Sequence, residues 1–319
     1  MKKVFLLLVF LLLFSFSGCV DEQNETDYEY SIIPIKIDAG NDYVVDAEFI
    51  LPKTEAKVPA VIIVPGSGPM NMDGKVNSQT PYEDLGIQLG KKGIASIRFN
   101  KVTYQYQNEI GKDYAFTIID EYIPTIESSI EFLKNQAEIK VEEIYLIGHS
   151  LGSQIIPLVL AKDASLAGGI IMAGTTMHLL DLLLEQVKKQ DEPLYNEYLP
   201  YCNYAKGLLE VPKGEEQYFY FGAYSAYYVN YNKLNKELVK ELVCPILILQ
   251  GELDLQVTMD HFNEYKELLK DNENVEFINY EKLNHLFSNG EGENIKNAYL
   301  SKKSVSIDVI EDIYKFISN

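Results

Sequence analysis

Apolar positions along this chain fall into two recurring patterns. Short, mostly apolar runs, such as Ala60–Val64, Ile94–Phe99, Gly168–Met172 and Cys244–Gln250, alternate with stretches whose apolar residues return every three or four positions. The runs suit strands buried on both faces, and the periodic stretches suit amphipathic helices. Further strands are expected at Glu143–Ile147 and Val275–Tyr280. Helices are expected over Tyr82–Lys91 (with Gly93 as its C-terminal cap), Ile118–Asn135, Leu151–Ala161, Asp260–Lys270 and Ser306–Ile317. Ser31–Ile37 and Tyr43–Leu51 read as an antiparallel pair joined through Ala39-Gly40-Asn41-Asp42. Strand–helix alternation of this kind predicts an α/β domain with a mostly parallel sheet and helices on both faces.

One segment breaks the alternation. Met177–Glu241 lies between two strands, where a connection ordinarily takes about 2–6 residues. It carries helical patterns at Leu179–Lys189 and Lys233–Leu242 and a dense set of tyrosines, Tyr195 to Tyr231. An insertion of this size at the end of a sheet strand predicts a cap over a site. Most of the tyrosines are expected to pack the cap onto the body. The rest, apolar rings with polar tips, suit a half-wet pocket wall.

The N-terminus reads as a processing signal. Lys2 and Lys3 precede an apolar run from Val4 to Phe14, then Ser15-Phe16-Ser17-Gly18. The run is too short for a span of about 20 residues, and it fits a secretory signal peptide over residues 1–18. Phe16-Ser17-Gly18-Cys19 resembles the lipobox of prokaryotic lipoproteins, which implies lipidation of Cys19. Residues 19–30 are polar and acidic and read as a tether, leaving 31–319 as the folded domain. The expectation is an exported lipoprotein on the extracytoplasmic side, touching membrane through its lipid anchor only.

Composition narrows the function. Asp and Glu outnumber Lys and Arg by 47 to 28, for a net charge of −19. Nucleic-acid binding needs clustered cations to neutralise phosphate, so that class is excluded. After Cys19 only Cys202 and Cys244 remain, with Cys244 expected as a buried thiol at the start of its strand. Neither a disulfide framework nor metal-ligand spacing is visible.

The chemistry concentrates in Gly148-His149-Ser150-Leu151-Gly152, a G-x-S-x-G pentapeptide between a predicted strand and a predicted helix. A turn this sharp strains its central residue and projects Ser150 Oγ from its tip. A serine hydroxyl needs a base, and the base needs an orienting acid. The chain has four histidines. Of these, His285 in Leu283-Asn284-His285-Leu286-Phe287 follows the strand Val275–Tyr280, as the order serine, acid, histidine requires. The acid should follow the strand Ile246–Gln250, and Asp254 is the candidate there, with Glu252 as competitor. An oxyanion hole needs two N–H donors. Leu151 supplies one; the Gly-rich loop Pro65-Gly66-Ser67-Gly68-Pro69 supplies the other, through Ser67 or alternatively Gly68.

These blocks resemble the α/β-hydrolase superfamily over residues 31–319, and more closely its EstD-like serine esterases. The resemblance rests on Gly66-Ser67-Gly68-Pro69 with Asp73-Gly74, the pentapeptide, Gln250-Gly251-Glu252-Leu253-Asp254-Leu255-Gln256-Val257 and Leu283-Asn284-His285-Leu286-Phe287. Pro65 stands where many relatives have histidine. The resemblance implies an α/β-hydrolase fold with a helical cap at 177–241. It also implies hydrolysis of small-molecule carboxylic esters by a Ser150–His285–Asp254 triad, with no metal or other cofactor. Two other readings stay open. One is a serine peptidase using cap acids such as Asp181, Glu185 and Glu192 to hold an amine. The other is a non-catalytic surface protein on the same fold.

Overall fold

The computed structural model describes residues 27–294 and 297–319. The signal sequence, Cys19 and most of the acidic tether lie outside the described residues. The tether's end does not: Tyr28 N–H donates to Lys91 O at 2.7 Å and Lys53 N–H to Glu29 O at 2.7 Å. The folded body therefore begins a few residues before Ser31, because backbone groups at 28 and 29 already have partners in it.

Eight strands form one sheet: β1 Tyr30–Asp38, β2 Val44–Pro52, β3 Val58–Val64, β4 Ala95–Phe99, β5 Ile139–His149, β6 Gly168–Met172, β7 Ile246–Gly251 and β8 Val275–Tyr280. Their spatial order is β1-β2-β4-β3-β5-β6-β7-β8. β2 runs antiparallel to β1 and β4, and every pairing from β4 to β8 is parallel. The β1–β2 turn needs left-handed backbone at Gly40, Asn41 and Asp42, the residue types that adopt it most readily.

The helices of eight residues or more are α1 Pro81–Lys91, α2 Ile118–Lys134, α3 Gly152–Leu160, α4 Leu179–Lys188, α5 Glu192–Lys206, α6 Ser225–Asn232, α7 Met259–Leu268 and α8 Ile307–Ser318, and two single turns, Val102–Gln105 and Gln107–Ile110, follow β4. Helix α2 starts at a capping box, with Thr117 N–H donating to Asp120 Oδ2 at 2.9 Å and Asp120 N–H to Thr117 Oγ1 at 3.3 Å. Side chains alternate across the sheet. Ala60, Ile62 and Val64 of β3 join the apolar layer under α2, α3 and α7, while Val61 and Ile63 join the layer under α1 and α8. Both layers are closed, so the polar ends of the central strands are where a site is left open.

The cap leaves after β6 and returns before β7. It holds α4, α5, a hairpin of Phe219–Tyr220 with Ala223–Tyr224, α6, and a 3₁₀ turn at Leu238–Glu241. The expected helix at Lys233–Leu242 is absent apart from that turn, because Asn235 Oδ1 accepts Glu237 N–H at 3.1 Å and holds a non-helical bend. Helix α5 lacks a clean apolar stripe in sequence. It is set by Asp191, whose side chain accepts Leu194 N–H at 2.9 Å, with Pro in its first turn. Cys202 on α5 is the fully buried thiol; Cys244 is only partly buried and precedes β7.

Candidate active site

Ser150 sits at the junction of β5 and α3 with φ 53°. A non-glycine residue in the left-handed region is strained and persists only where its surroundings hold it. Two glycines make the turn possible. A Cβ on Gly148 would lie 2.6 Å from Gly152 O, and one on Gly152 would lie 2.4 Å from Val64 O. The turn can close only against backbone, which is why the pentapeptide carries glycine at both positions.

Asp254 and His285 come from adjacent loops and are buried. His285 Nδ1 lies 2.7 Å from Asp254 Oδ2. The other carboxylate oxygen accepts Gln256 N–H at 2.7 Å and Val257 N–H at 2.9 Å. With Nδ1–H donated to Asp254, the imidazole's Nε2 is left as an acceptor. Ser150 and His285 line one cavity of about 100 Å³. The competing acid, Glu252, is drawn aside to Asn279 Nδ2 at 2.5 Å and takes no part in this arrangement.

The histidine loop is a compact turn. Asn284 Oδ1 accepts Leu286 N–H at 3.0 Å and Ser288 N–H at 3.2 Å. Leu253 N–H donates to Leu283 O at 2.9 Å and ties the acid loop to it.

Ser67 and Leu151 border the same space from two sides. Both line a chamber of about 530 Å³ and a second of about 280 Å³ that also touches Ser150. Among the described residues, neither backbone N–H has a protein acceptor. Two unpartnered N–H groups beside a strained serine can receive an oxygen that gains negative charge. Gly68 lines both chambers as well.

Sequence reasoning passed over His149 as a mere neighbour of the serine. Its ring packs against His285 with centroids 4.7 Å apart, and its Nε2–H donates to His285 O at 2.8 Å. Its Nδ1 then accepts from Tyr82 OH at 2.9 Å, and the same phenol oxygen accepts Gly66 N–H at 3.1 Å. Burial, with the nearby His285, pushes the His149 pKa down to about 3. It is a neutral spacer tying the elbow, the Gly66 loop and the histidine loop together. The only available signal was its place inside the pentapeptide.

The cap tyrosines divide by position. Tyr224, Tyr227 and Tyr228 line the larger chamber; Tyr231 is buried, its hydroxyl donating to Gln154 Oε1 at 2.6 Å; Tyr201 and Tyr218 are exposed. Among the described residues, no three His, Cys, Asp or Glu side chains gather as a metal could use.

Parallel β3 to β8, an antiparallel entry through β1 and β2, and a strained serine between β5 and α3 define an α/β-hydrolase fold with a capped site. Comparison with known proteins agrees. The Dienelactone hydrolase family profile matches residues 214–312, the stretch that holds Asp254 and His285. The chain is 28% identical to Esterase EstD of Thermotoga maritima over 272 residues, which is 84% of this chain and 64% of that protein. It thus spans just under two thirds of the curated relative it matches. Among solved structures, Est1E from Butyrivibrio proteoclasticus superposes with a TM-score of 0.56 at 15% identity, covering 90% of this chain and 99% of that one. The Pyrococcus horikoshii acylaminoacyl peptidase superposes with a TM-score of 0.53 at 17% identity, covering 85% of this chain and 39% of that one.

Proposed function

We propose that this chain hydrolyses carboxylic esters through an acyl-enzyme on Ser150. The observation that carries the reading is the strained serine sharing one cavity with a histidine held by a buried carboxylate at 2.7 Å. His285 Nε2 takes the Ser150 proton as Oγ attacks the acyl carbon. Asp254 keeps the imidazole oriented and stabilises its cation. The Ser67 and Leu151 N–H groups receive the oxyanion. His285 then gives its proton to the departing alkoxide, and water, deprotonated by the same histidine, releases the acid.

This proton path orients the substrate. The leaving oxygen must face His285, which lines the small cavity together with Tyr299 and Gln256. At about 100 Å³ this cavity is the smallest of the three spaces at the site, which suits a small alkoxy group. The acyl group occupies the larger spaces, one walled by Phe221, Tyr227 and Tyr228 and the other by Leu180, Leu182 and Leu183. Short or aromatic acyl groups joined to small alcohols are the substrate class. Of the cap acids that a peptidase could use, Asp181 is paired with Lys206 and Glu185 with Lys189, while Glu192 is exposed in the first turn of α5.

A substrate panel tests this reading. Butyrate or phenylacetate esters should exceed the palmitate ester in kcat/KM, with no jump in rate when micelles form. For one acyl group, ethyl esters should exceed benzyl esters, and an aminoacyl amide should be turned over far more slowly. A maximum at palmitate, or faster cleavage of the amide, would overturn it.

We further propose export and anchoring through a lipid on Cys19, supported by Gly18-Cys19 following the apolar run. Cys19→Ala should move the protein from the membrane fraction to the precursor or soluble pool. Unchanged membrane retention of the mature-sized chain would contradict the anchor.

A further inference from the structure

The oxyanion loop is gripped from beneath by a group of buried polar side chains that the reaction itself does not use. Lys101 is fully buried just after β4, at the N-cap position of the single turn Val102–Gln105. Its ammonium lies 2.9 Å from Gly66 O, 2.8 Å from Tyr122 OH and 2.8 Å from Glu121 Oε1. Three acceptors saturate the three donors of an ammonium. The Tyr122 hydroxyl also donates to Gly66 O, at 2.7 Å. Glu121 is held in turn by Thr103 Oγ1 at 2.9 Å and by Tyr227 OH, from the cap, at 2.8 Å. A lysine in such a place is costly unless it is paired and fully bonded. Gly66 is held on its other side as well, where Tyr82 OH accepts its N–H at 3.1 Å, and it packs so closely on the nucleophile that a Cβ there would lie 3.1 Å from Ser150 Cβ.

The peptide joining Gly66 to Ser67 is trans, so its carbonyl and its N–H point to opposite sides. Two donors draw the Gly66 carbonyl into the protein. The Ser67 N–H on the other end of that peptide must then face away from those donors, and Ser67 and Ser150 line one cavity. We propose that Lys101 and Tyr122, supported by Glu121, are positioning residues that lock the Gly66–Ser67 peptide with its N–H aimed at the oxyanion. The proposal rests on the ester-hydrolase reading and adds to it the origin of one donor's orientation. It also links the cap to the reaction centre, since Tyr227 and Glu121 both line the larger chamber.

Tyr122→Phe removes one of the two bonds to Gly66 O and leaves the ring in place. Lys101→Met keeps the apolar stem of the side chain and removes the ammonium. Losing an oxyanion donor costs ~10²–10³ in rate. Lys101→Met should therefore lower kcat by about 10²-fold, and Tyr122→Phe, which leaves Lys101 on the carbonyl, by about 10-fold. KM should change little in either. The affinity of a boronic acid or trifluoromethyl ketone, which places an oxyanion in the hole, should fall in proportion to kcat/KM. Affinity for a non-reactive amide of the same acyl group should hold. All measurements use the full chain, with melting temperature recorded, and Tyr122→Phe serves alone if Lys101→Met does not fold. Unchanged kcat in Tyr122→Phe, or a loss of kcat that the oxyanion analogue does not share, would overturn the clamp. Wild-type protein that cleaves no ester and binds no such analogue would instead overturn the ester-hydrolase reading, and the clamp with it.

Discussion

Ser150→Ala is expected to lower ester turnover by ~10³-fold or more while the protein keeps its fold, because members of a triad fail as a unit. The serine is strained at φ 53°. Alanine in that turn keeps the same backbone and loses only the nucleophile. Asp254→Asn should also be severe, since the amide would offer its NH₂ to an imidazole that must donate, or else turn and lose the Gln256 and Val257 N–H bonds. Glu252→Gln should be mild, because that side chain is spent on Asn279 outside the site. Initial rates with one p-nitrophenyl ester decide among these. Glu252→Gln proving worse than Asp254→Asn would show that the wrong acid has been assigned.

Gly251→Ala is expected to have a large effect although it touches no reacting group. A Cβ there would lie 2.4 Å from Leu283 O and 2.7 Å from Asn284 O, both backbone atoms of the histidine loop. The end of β7 can approach that loop only as glycine, and this approach is what brings Asp254 to His285. Overpacking of this kind costs about 1–3 kcal/mol. The acid and histidine loops would move apart as well, so activity should fall further than stability. Thermal melting and kcat measured on one preparation check this. A variant with wild-type melting temperature and wild-type kcat would mean that the two loops meet for some other reason.

These effects show which parts of the site could be read from the chain and which could not. The elbow was legible because its physics is local. Two glycines flank a serine within five residues, between a continuous apolar strand and an apolar helix. Asp254 and His285 were legible through chain order, Asp254 in the loop after the apolar strand Ile246–Gly251 and His285 in the loop after Val275–Tyr280. The sheet was legible because β3, β6 and β7 are short apolar runs and the strands beside them keep enough apolar positions to be read with them, and only their ends shifted. Strand β5, for one, extends over Ile139–His149 where the apolar signal covers only Glu143–Ile147.

The clamp was not legible. Lys101 reaches Gly66 across 35 positions, and in sequence it looks like any lysine after a strand. Tyr122 lies on the apolar stripe of its helix, where its hydroxyl carries no distinguishing signal. Within the cap, α5 was missed because tyrosines and capping bonds shape it more than an apolar period does. The pattern at Lys233–Leu242 promised a helix that a side-chain bond at Asn235 prevents. Local turn chemistry won over periodicity in both places.

The central claim is that Ser150 is the nucleophile, and covalent capture tests it most directly. The full chain treated with a fluorophosphonate should gain one phosphonyl group. Peptide mapping by mass spectrometry should place it on Ser150, and neither Ser150→Ala nor His285→Ala should be labelled at a comparable rate. Ester hydrolysis should disappear in step with the labelling. Wild-type protein that stays unlabelled while cleaving esters, or that carries the adduct elsewhere with Ser150 unmodified, would contradict the account.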